Sequence, residues 1–296
     1  MNYKKLIPNQ NLRLQILKLI DFIPDKMMIN LQYRISQNRK LNLKNPHRFT
    51  EKLQWYKLYH RDPLMVQCSD KYKVREYITS KGFENILVPL YGVYDRAEDI
   101  DFKNLPDKFV LKTNNGSHTN IICEDKSQLD IDLTKITLNE WLNTWNGKMG
   151  REWAYHDIKP KIICEKFLEK DTNGDLIDYK FFCFNGKPFS LYVIVERFLA
   201  DGIKLGIFDT KFNKLPYKRA DIKGITSNIS KPKNFDKMVE IAEVLSKDFP
   251  HVRVDLYNVD GEIYFGELTF YTAGGYQKYQ NDEFDFLLGE QFILPK

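Results

Sequence analysis

Charged side chains set inside apolar strand sequence constrain this chain more than any other feature. Val252-Arg253-Val254-Asp255-Leu256 runs toward Val259-Asp260-Gly261, and Ile263-Tyr264-Phe265-Gly266-Glu267-Leu268-Thr269 runs away from it. Strand side chains alternate between two faces, so Arg253 shares a face with Asp255, and Glu267 shares one with Thr269. Whether the two pairs meet depends on the turn. A three-residue turn ending in Gly261 pairs Asp255 with Phe265 and Arg253 with Glu267, which gathers all four polar groups. A two-residue Asp-Gly turn pairs Asp255 with Gly266 and sends Glu267 to the other face, because a one-residue slip inverts every side chain. The expectation is an odd-length connection and one shared face. Two carboxylates and an arginine in such surroundings need compensation, either from an ion pair on a solvated face or from a hard cation such as Mg²⁺ held by Asp255 and Glu267 with phosphate and water.

Other segments add cations and a loop. Lys112 ends the apolar run Phe109-Val110-Leu111 and precedes Thr113-Asn114-Asn115-Gly116-Ser117-His118-Thr119. Backbone N–H groups of such a loop can wrap phosphate while the lysine neutralises it, and an Asn-Gly hairpin turn explains the same composition. No Walker signature follows. Ile162-Ile163-Cys164-Glu165-Lys166 is an apolar strand leaving at a charged pair, where a base could meet strand-end backbone and Glu165 could accept from ribose. Lys180, inside Asp178-Tyr179-Lys180-Phe181, requires an anion if its face is buried. The five histidines show no ligand or triad spacing, with His118 set apart by its place in the loop.

The 296 residues accommodate one large or two modest domains, and the ordinary globular mixture, 43% hydrophobic and 29% charged, argues against disorder or a rod. No run approaches the roughly 18 apolar residues of a membrane span, since Arg13, Lys18 and Asp21 break the stretch from Leu12 to Ile23. Cys68, Cys123, Cys164 and Cys183 lack CxxC spacing, which points to reduced, mostly buried thiols and a cytoplasmic protein. The net charge of +5 is too mild to imply nucleic acid. It is concentrated in residues 1–50, which carry +8 and leave the rest acidic. That segment reads either as a solvated helical face or as a peripheral contact with the anionic inner face of a membrane.

Periodicity gives helices over 10–36, interrupted near Pro24, from Thr50 to Leu58 with Thr50 as cap, over 70–80 ended by Gly82, around Trp141 and Trp145, and over 234–247. Strands are expected at 88–93, 109–112, 120–123, 162–167, 179–184, 189–195, 252–257 and 262–269. Strands that pair through turns with helices between them indicate an α+β fold.

Taken in order, these constellations resemble the ATP-grasp superfamily, and the wording resembles its TupA-like branch, associated with teichuronopeptide and other bacterial surface polysaccharides. The residues that carry the resemblance are Asn45-Pro46, Glu51-Lys52-Leu53-Gln54-Trp55, Asp70-Lys71-Tyr72, Leu105 to Lys112 and Asp178 to Gly186. The resemblance implies an ATP-grasp fold, two α+β subdomains gripping ATP behind a basic helical region of residues 1–60. Within 61–296 it places a phosphate-loop subdomain at about 105–160 and a metal-binding one at about 161–280. It implies that Lys71 and Lys112 contact phosphates or adenine, that Asn115, Gly116, Ser117 and His118 cover the triphosphate, and that Glu165 meets adenine and ribose. Lys180 and Arg253 would hold phosphate charge in catalysis, and Asp255, Glu267 and Thr269 would bind Mg²⁺. Thr269 stands where the superfamily often has Asn, and His118 where relatives commonly carry a second glycine.

The activity so implied is an ATP-dependent carboxylate–amine ligation through an acyl phosphate. Its partners would be an acidic, uronate-containing glycan or its precursor and an amine or amino acid. One rival is a glycosyltransferase, whose Asp-x-Asp spelling occurs at Asp130-Ile131-Asp132 in a stretch that reads as a surface loop. Another is a noncatalytic nucleotide-binding scaffold, against which the retained carboxylates and cations speak.

Overall fold

The computed structural model describes residues 21–117, 119–143, 150–172, 174–196 and 202–295. Two sheets carry the fold. The first contains β1 (Leu90–Tyr94), β2 (Phe109–Thr113), β3 (Asn120–Cys123) and β4 (Ile162–Lys166), in spatial order β1-β4-β2-β3 and antiparallel throughout. The second contains β5 (Asp178–Phe184), β6 (Lys187–Val195), β7 (Lys204–Asp209), β8 (Lys223–Gly224), β9 (His251–Val259) and β10 (Glu262–Thr269). Their order is β10-β9-β5-β6-β7-β8, antiparallel except for the β7–β8 pair.

Period-2 alternation gives each sheet one oily face, and a helix covers it. On β2 and β4, Phe109, Leu111, Ile162 and Cys164 pack with Leu138 of α5 (Ile131–Leu142). On β5 and β9, Phe181, Val254 and Leu256 share a core with Met238, Ile241 and Leu245 of α6 (Phe235–Ser246). The residues between them, Lys112 and Glu165 on one sheet and Lys180, Arg253 and Asp255 on the other, face away from those helices.

Four further helices complete the described part, α1 (Asp25–Gln37), α2 (Phe49–Tyr59), α3 (Pro63–Ser69) and α4 (Val74–Ser80), with α7 (Glu283–Gln291) near the C-terminal end. Phe49 from α2 and Phe292 after α7 close one end of the second sheet around His251, with ring centroids 4.9 and 5.1 Å from the imidazole. Four cysteines are free and buried. Among the described residues no helix is long and apolar enough to cross a membrane.

Several local expectations need correction. Thr50 is inside α2 rather than its cap. Glu51 reaches back to accept from His47 N and Arg48 N, just ahead of the helix, at 3.0 and 3.2 Å, and Asp285 accepts from the first-turn amide of Thr50 at 2.9 Å. The region 70–80 is not one helix. Asp70 accepts from the amides of Tyr72 and Lys73 and restarts the chain as α4, and Gly82 ends it at φ +82°. Asp130 lies in no surface loop but caps α5, accepting from Leu133 N at 2.9 Å. The strands β7 and β8 and helix α7 have no counterpart in the sequence reading. Residues 10–20 and Trp145 lie outside the described residues.

Candidate active site

The β9–β10 hairpin builds the core of the site by a route the sequence reading did not foresee. The connection is a two-residue turn, Asp260 at φ +53° and Gly261 at φ +105°, with Glu262 opposite Val259. Both positive φ values suit a tight hairpin turn, and Asp-Gly supplies them. The expected odd-length connection is therefore wrong. Regular pairing from that turn would have sent Glu267 to the α6 face. Instead Phe265 pairs with Leu256 and Glu267 with Asp255, leaving Gly266 as an extra residue in a β-bulge. Gly266 takes the place because a Cβ there would stand 3.1 Å from the Asp255 carbonyl oxygen. The bulge puts Arg253, Asp255, Glu267 and Thr269 on one face.

Arg253 organises that face. Its Nε and Nη2 donate to the two oxygens of Asp255 at 2.7 and 2.6 Å, a bidentate pair. Nη2 also reaches Glu267 Oε1 at 3.2 Å and Thr269 Oγ1 at 3.0 Å, and Thr269 donates to Glu267 Oε1 at 2.9 Å. From the neighbouring strand, where Lys180 pairs with Asp255 in register, the Lys180 ammonium bonds Asp255 and lies 2.7 Å from Asp178 Oδ2.

The first sheet supplies the facing half. Lys112 and Glu165 project from adjacent strands and meet at 2.6 Å, with Arg75 of α4 3.8 Å from the other carboxylate oxygen. The loop after β2 is anchored by Asn114, which is fully buried. Its side chain donates to Lys159 O at 3.1 Å and accepts from Lys161 N at 2.8 Å. Gly116 packs over the Thr113–Thr119 hydroxyl pair, where a Cβ would stand 2.1 Å from Thr119 Oγ1. Asn115 is buried and Ser117 exposed, while His118 lies outside the described residues.

Lys71 ties the halves together. Its Nζ donates to Gly116 O at 2.6 Å and lies 3.8 Å from Glu267 Oε2, and its charge is felt by Lys112 and Glu165 as well. Burial alone would push the Glu267 carboxyl up, yet Lys71, then Lys180 and Arg253, together with the Thr269 hydroxyl, hold it down at about 2. Burial lowers Lys71 from its ordinary value against the pull of Glu267. Burial also raises Asp255, against Arg253 and Lys180.

The donor set bears on a metal. Glu267 is 37% exposed in its side chain, and the ion pair of its Oε2 with Lys71, at 3.8 Å, is beyond hydrogen-bond distance, so that oxygen is available to a cation. Asp255 is 2% exposed, and Arg253 and Lys180 occupy both its oxygens. It fits as a ligand when one of those cations transfers to phosphate. Thr269 links Arg253 to Glu267 through its hydroxyl. Among the described residues no group of three or more His, Cys, Asp or Glu side chains could hold a metal ion.

The sequence reading missed Arg75, in the first turn of α4 and four residues after Lys71, and Lys57, three residues beyond the Gln54 it quoted. Lys57 is buried, donates to Gly150 O and Gly274 O at 2.9 Å each, and is lowered by burial to about 8.

Two sheets thus bring charged faces together, joined through Lys71. A family model described as TupA-like ATPgrasp matches residues 51–293, and the chain belongs to that family. No curated protein matches it. Among solved structures it is similar to the D-alanine–D-alanine ligase from Bacillus anthracis complexed with ATP, at 16% identity and a TM-score of 0.43, over 69% of this chain and 55% of that one. It is also similar to the L-amino acid ligase from Bacillus licheniformis, at 14% identity and a TM-score of 0.46, over 76% and 49%. The chain thus spans about half the length of these ligases.

Proposed function

We propose that this chain is an ATP-dependent, ADP-forming carboxylate–amine ligase that acts through an acyl phosphate on an acidic bacterial surface polysaccharide or its precursor. Membership of the TupA-like ATP-grasp family supports the class, and one observation carries the chemistry. Lys180 and Arg253 stand interleaved with Asp178, Asp255 and Glu267 on one face, with Lys71 bridging from that face to the half that carries Lys112 and Glu165. Such an array can exchange partners when a magnesium nucleotide enters, cations passing to phosphate and carboxylates to metal. Mg²⁺ on Glu267 and Asp255 would supply neutralisation of the charge that develops on the transferring phosphoryl group.

This chain's own residues then divide the work. Lys180 and Arg253 orient phosphate oxygens from the second sheet, and Lys71 and Lys112 do so from the cleft and the first sheet. The loop of Asn115, Gly116, Ser117 and His118 covers the triphosphate. Glu165 holds Lys112 in line and borders adenine and ribose. The carboxylate is expected on a uronate-containing glycan and the nucleophile is an amine or amino acid. The basic N-terminal region would bring the enzyme to an anionic membrane face, so wild-type protein should sediment with phosphatidylglycerol vesicles at low salt and not in 0.5 M salt, whereas a chain lacking residues 1–40 should not sediment in either.

The product ratio tests the reaction. With glucuronate-containing acceptors and amino acids, ADP and inorganic phosphate should appear one to one with amide, and hydroxylamine in place of the amine should trap a hydroxamate. AMP and pyrophosphate would indicate an acyl adenylate and reject phosphoryl transfer. Release of a nucleoside diphosphate from a nucleotide sugar without ATP consumption would favour a glycosyltransferase, although Asp130 is already engaged as a helix cap.

A further inference from the structure

The segment from Gly150 to Tyr155 plays no part in the scheme above, yet it brings a carboxylate to the edge of the charged array. Glu152 Oε1 lies 2.7 Å from where a Cβ on Gly150 would stand and 3.1 Å from where one on Gly274 would stand. The carboxylate therefore rests over the bare backbone of two glycines, one of them in the loop that follows β10. The Lys57 ammonium donates to the carbonyls of the same two glycines. Its charge acts on Glu152 through space, while its hydrogen bonds go to those two carbonyls and, at 3.5 Å, to the Tyr276 hydroxyl.

Two tyrosines complete the surroundings. Tyr271 is 2% exposed, its hydroxyl has no hydrogen-bond partner among the described residues, and both Glu152 and Tyr155 bear on it electrostatically. Arg253 Nη1 donates to Thr272 Oγ1 at 3.4 Å, two residues before Gly274, so the loop that seats the Glu152 carboxylate also touches the charged array. Burial pushes the Glu152 carboxyl up to about 7 against the pull of Lys57, the response of a carboxylate short of a direct cation. An ammonium would meet a full acceptor at Glu152 and a hydroxyl oxygen at Tyr271, and its arrival would satisfy both.

We propose that Glu152 is the recognition carboxylate for a primary ammonium group, the amine substrate, with the Tyr271 hydroxyl as second acceptor. This rests on the ligase reading and adds to it which end of the cleft receives the nucleophile and what chemistry selects it. The competing role for Glu152 is purely structural, as the counter-charge of Lys57.

Saturation-transfer NMR on the full chain with Mg²⁺ and a nonhydrolysable ATP analogue separates the two. The probes are glycine, L-alanine, L-glutamate and L-lysine, each beside its N-acetyl derivative, L-lysine beside the Nα,Nε-diacetyl form. At least one free amine should bind wild-type protein, its acetylated form at least tenfold more weakly. Glu152→Gln should lose at least tenfold in that amine's affinity while binding the nucleotide analogue within twofold of wild type. Equal binding of free and acetylated forms, no binding of any amine, or undiminished binding by Glu152→Gln would overturn the proposal. Where Glu152→Gln does not fold, Tyr271→Phe takes its place: weakened binding of the free amine with nucleotide binding within twofold of wild type supports the site, and undiminished amine binding overturns it. Failure of wild-type protein to bind the nucleotide analogue would instead overturn the ligase reading, and the amine site with it.

Discussion

Arg253 shows how one side chain can satisfy an array and hold it ready. Removing it would leave Asp255 buried with Lys180 and Glu267 with Lys71, so Arg253→Met should lower the stability of the ligand-free protein by about 3–5 kcal/mol in urea unfolding. Glu267 is the contrasting case. It is partly exposed but crowded by cations that favour its charge, so Glu267→Gln should fold with a modestly lowered melting temperature yet lose ATP turnover by orders of magnitude, and near wild-type turnover at saturating Mg²⁺ would remove Glu267 from the mechanism. His251 belongs to stability alone. It is fully buried, and burial lowers its imidazole to about 3 although its hydrogen bond with Cys183 O opposes this. The unfolded chain takes up this proton near pH 6.5 and the folded one does not until about 3, so stability is lost as pH falls between those values. The loss should be about 2 kcal/mol between pH 6.5 and 5, and a His251→Gln variant should show a shallower slope there.

At the scale of elements the bulge at Gly266 gives the sharpest expectation, because it predicts that a deletion is milder than a substitution. Removing Gly266 restores regular pairing and leaves Glu267 opposite Asp255 on the same face, so the deletion variant should fold and bind nucleotide within about tenfold of wild type. Gly266→Val keeps the count but drives a branched side chain against the Asp255 carbonyl and the Tyr257 ring, 3.1 and 3.3 Å from its Cβ, and should destabilise by about 1–3 kcal/mol. Calorimetry of the two variants reverses the order if Glu267 reaches the cleft by another route. The episode also marks how far the sequence could be read. Arg253, Asp255 and Glu267 stood out because charge in an apolar strand is costly, and the choice of face followed from that cost. The turn did not, since a hairpin can make up a missing odd residue either in its loop or in its strand, and the alternation pattern is the same for both. Likewise Lys112 and Glu165 were found singly, but their 2.6 Å pairing depends on β4 inserting between β1 and β2, a non-local register that no local pattern encodes. Strand β8, two residues long, and α7, rich in Phe and acidic side chains, lacked a periodic signal strong enough to read.

Across the whole molecule, Lys71 is the bond between the loop of one sheet and the carboxylate of the other. Lys71→Met should speed amide hydrogen exchange in residues 113–119 of the ligand-free protein and weaken magnesium-nucleotide binding, leaving exchange in α6 unchanged. Uniform acceleration would mean that the lysine merely supports the core. The family, the α+β architecture and the charged cleft were all legible in ordered short motifs, whereas the segment around Glu152 was not, because its partners Lys57, Tyr271 and Gly274 are scattered across more than 200 residues of chain. The four thiols bring a practical consequence. All are at most 3% exposed, and burial raises each of them from its ordinary value, so none should react quickly with maleimides in the folded protein. Reporter cysteines placed at Ser117 and on the exposed edge of the second sheet can then carry a fluorophore pair without first stripping the native ones. The separation of the two sheets, with and without nucleotide, becomes a distance that can be watched in the otherwise unaltered chain.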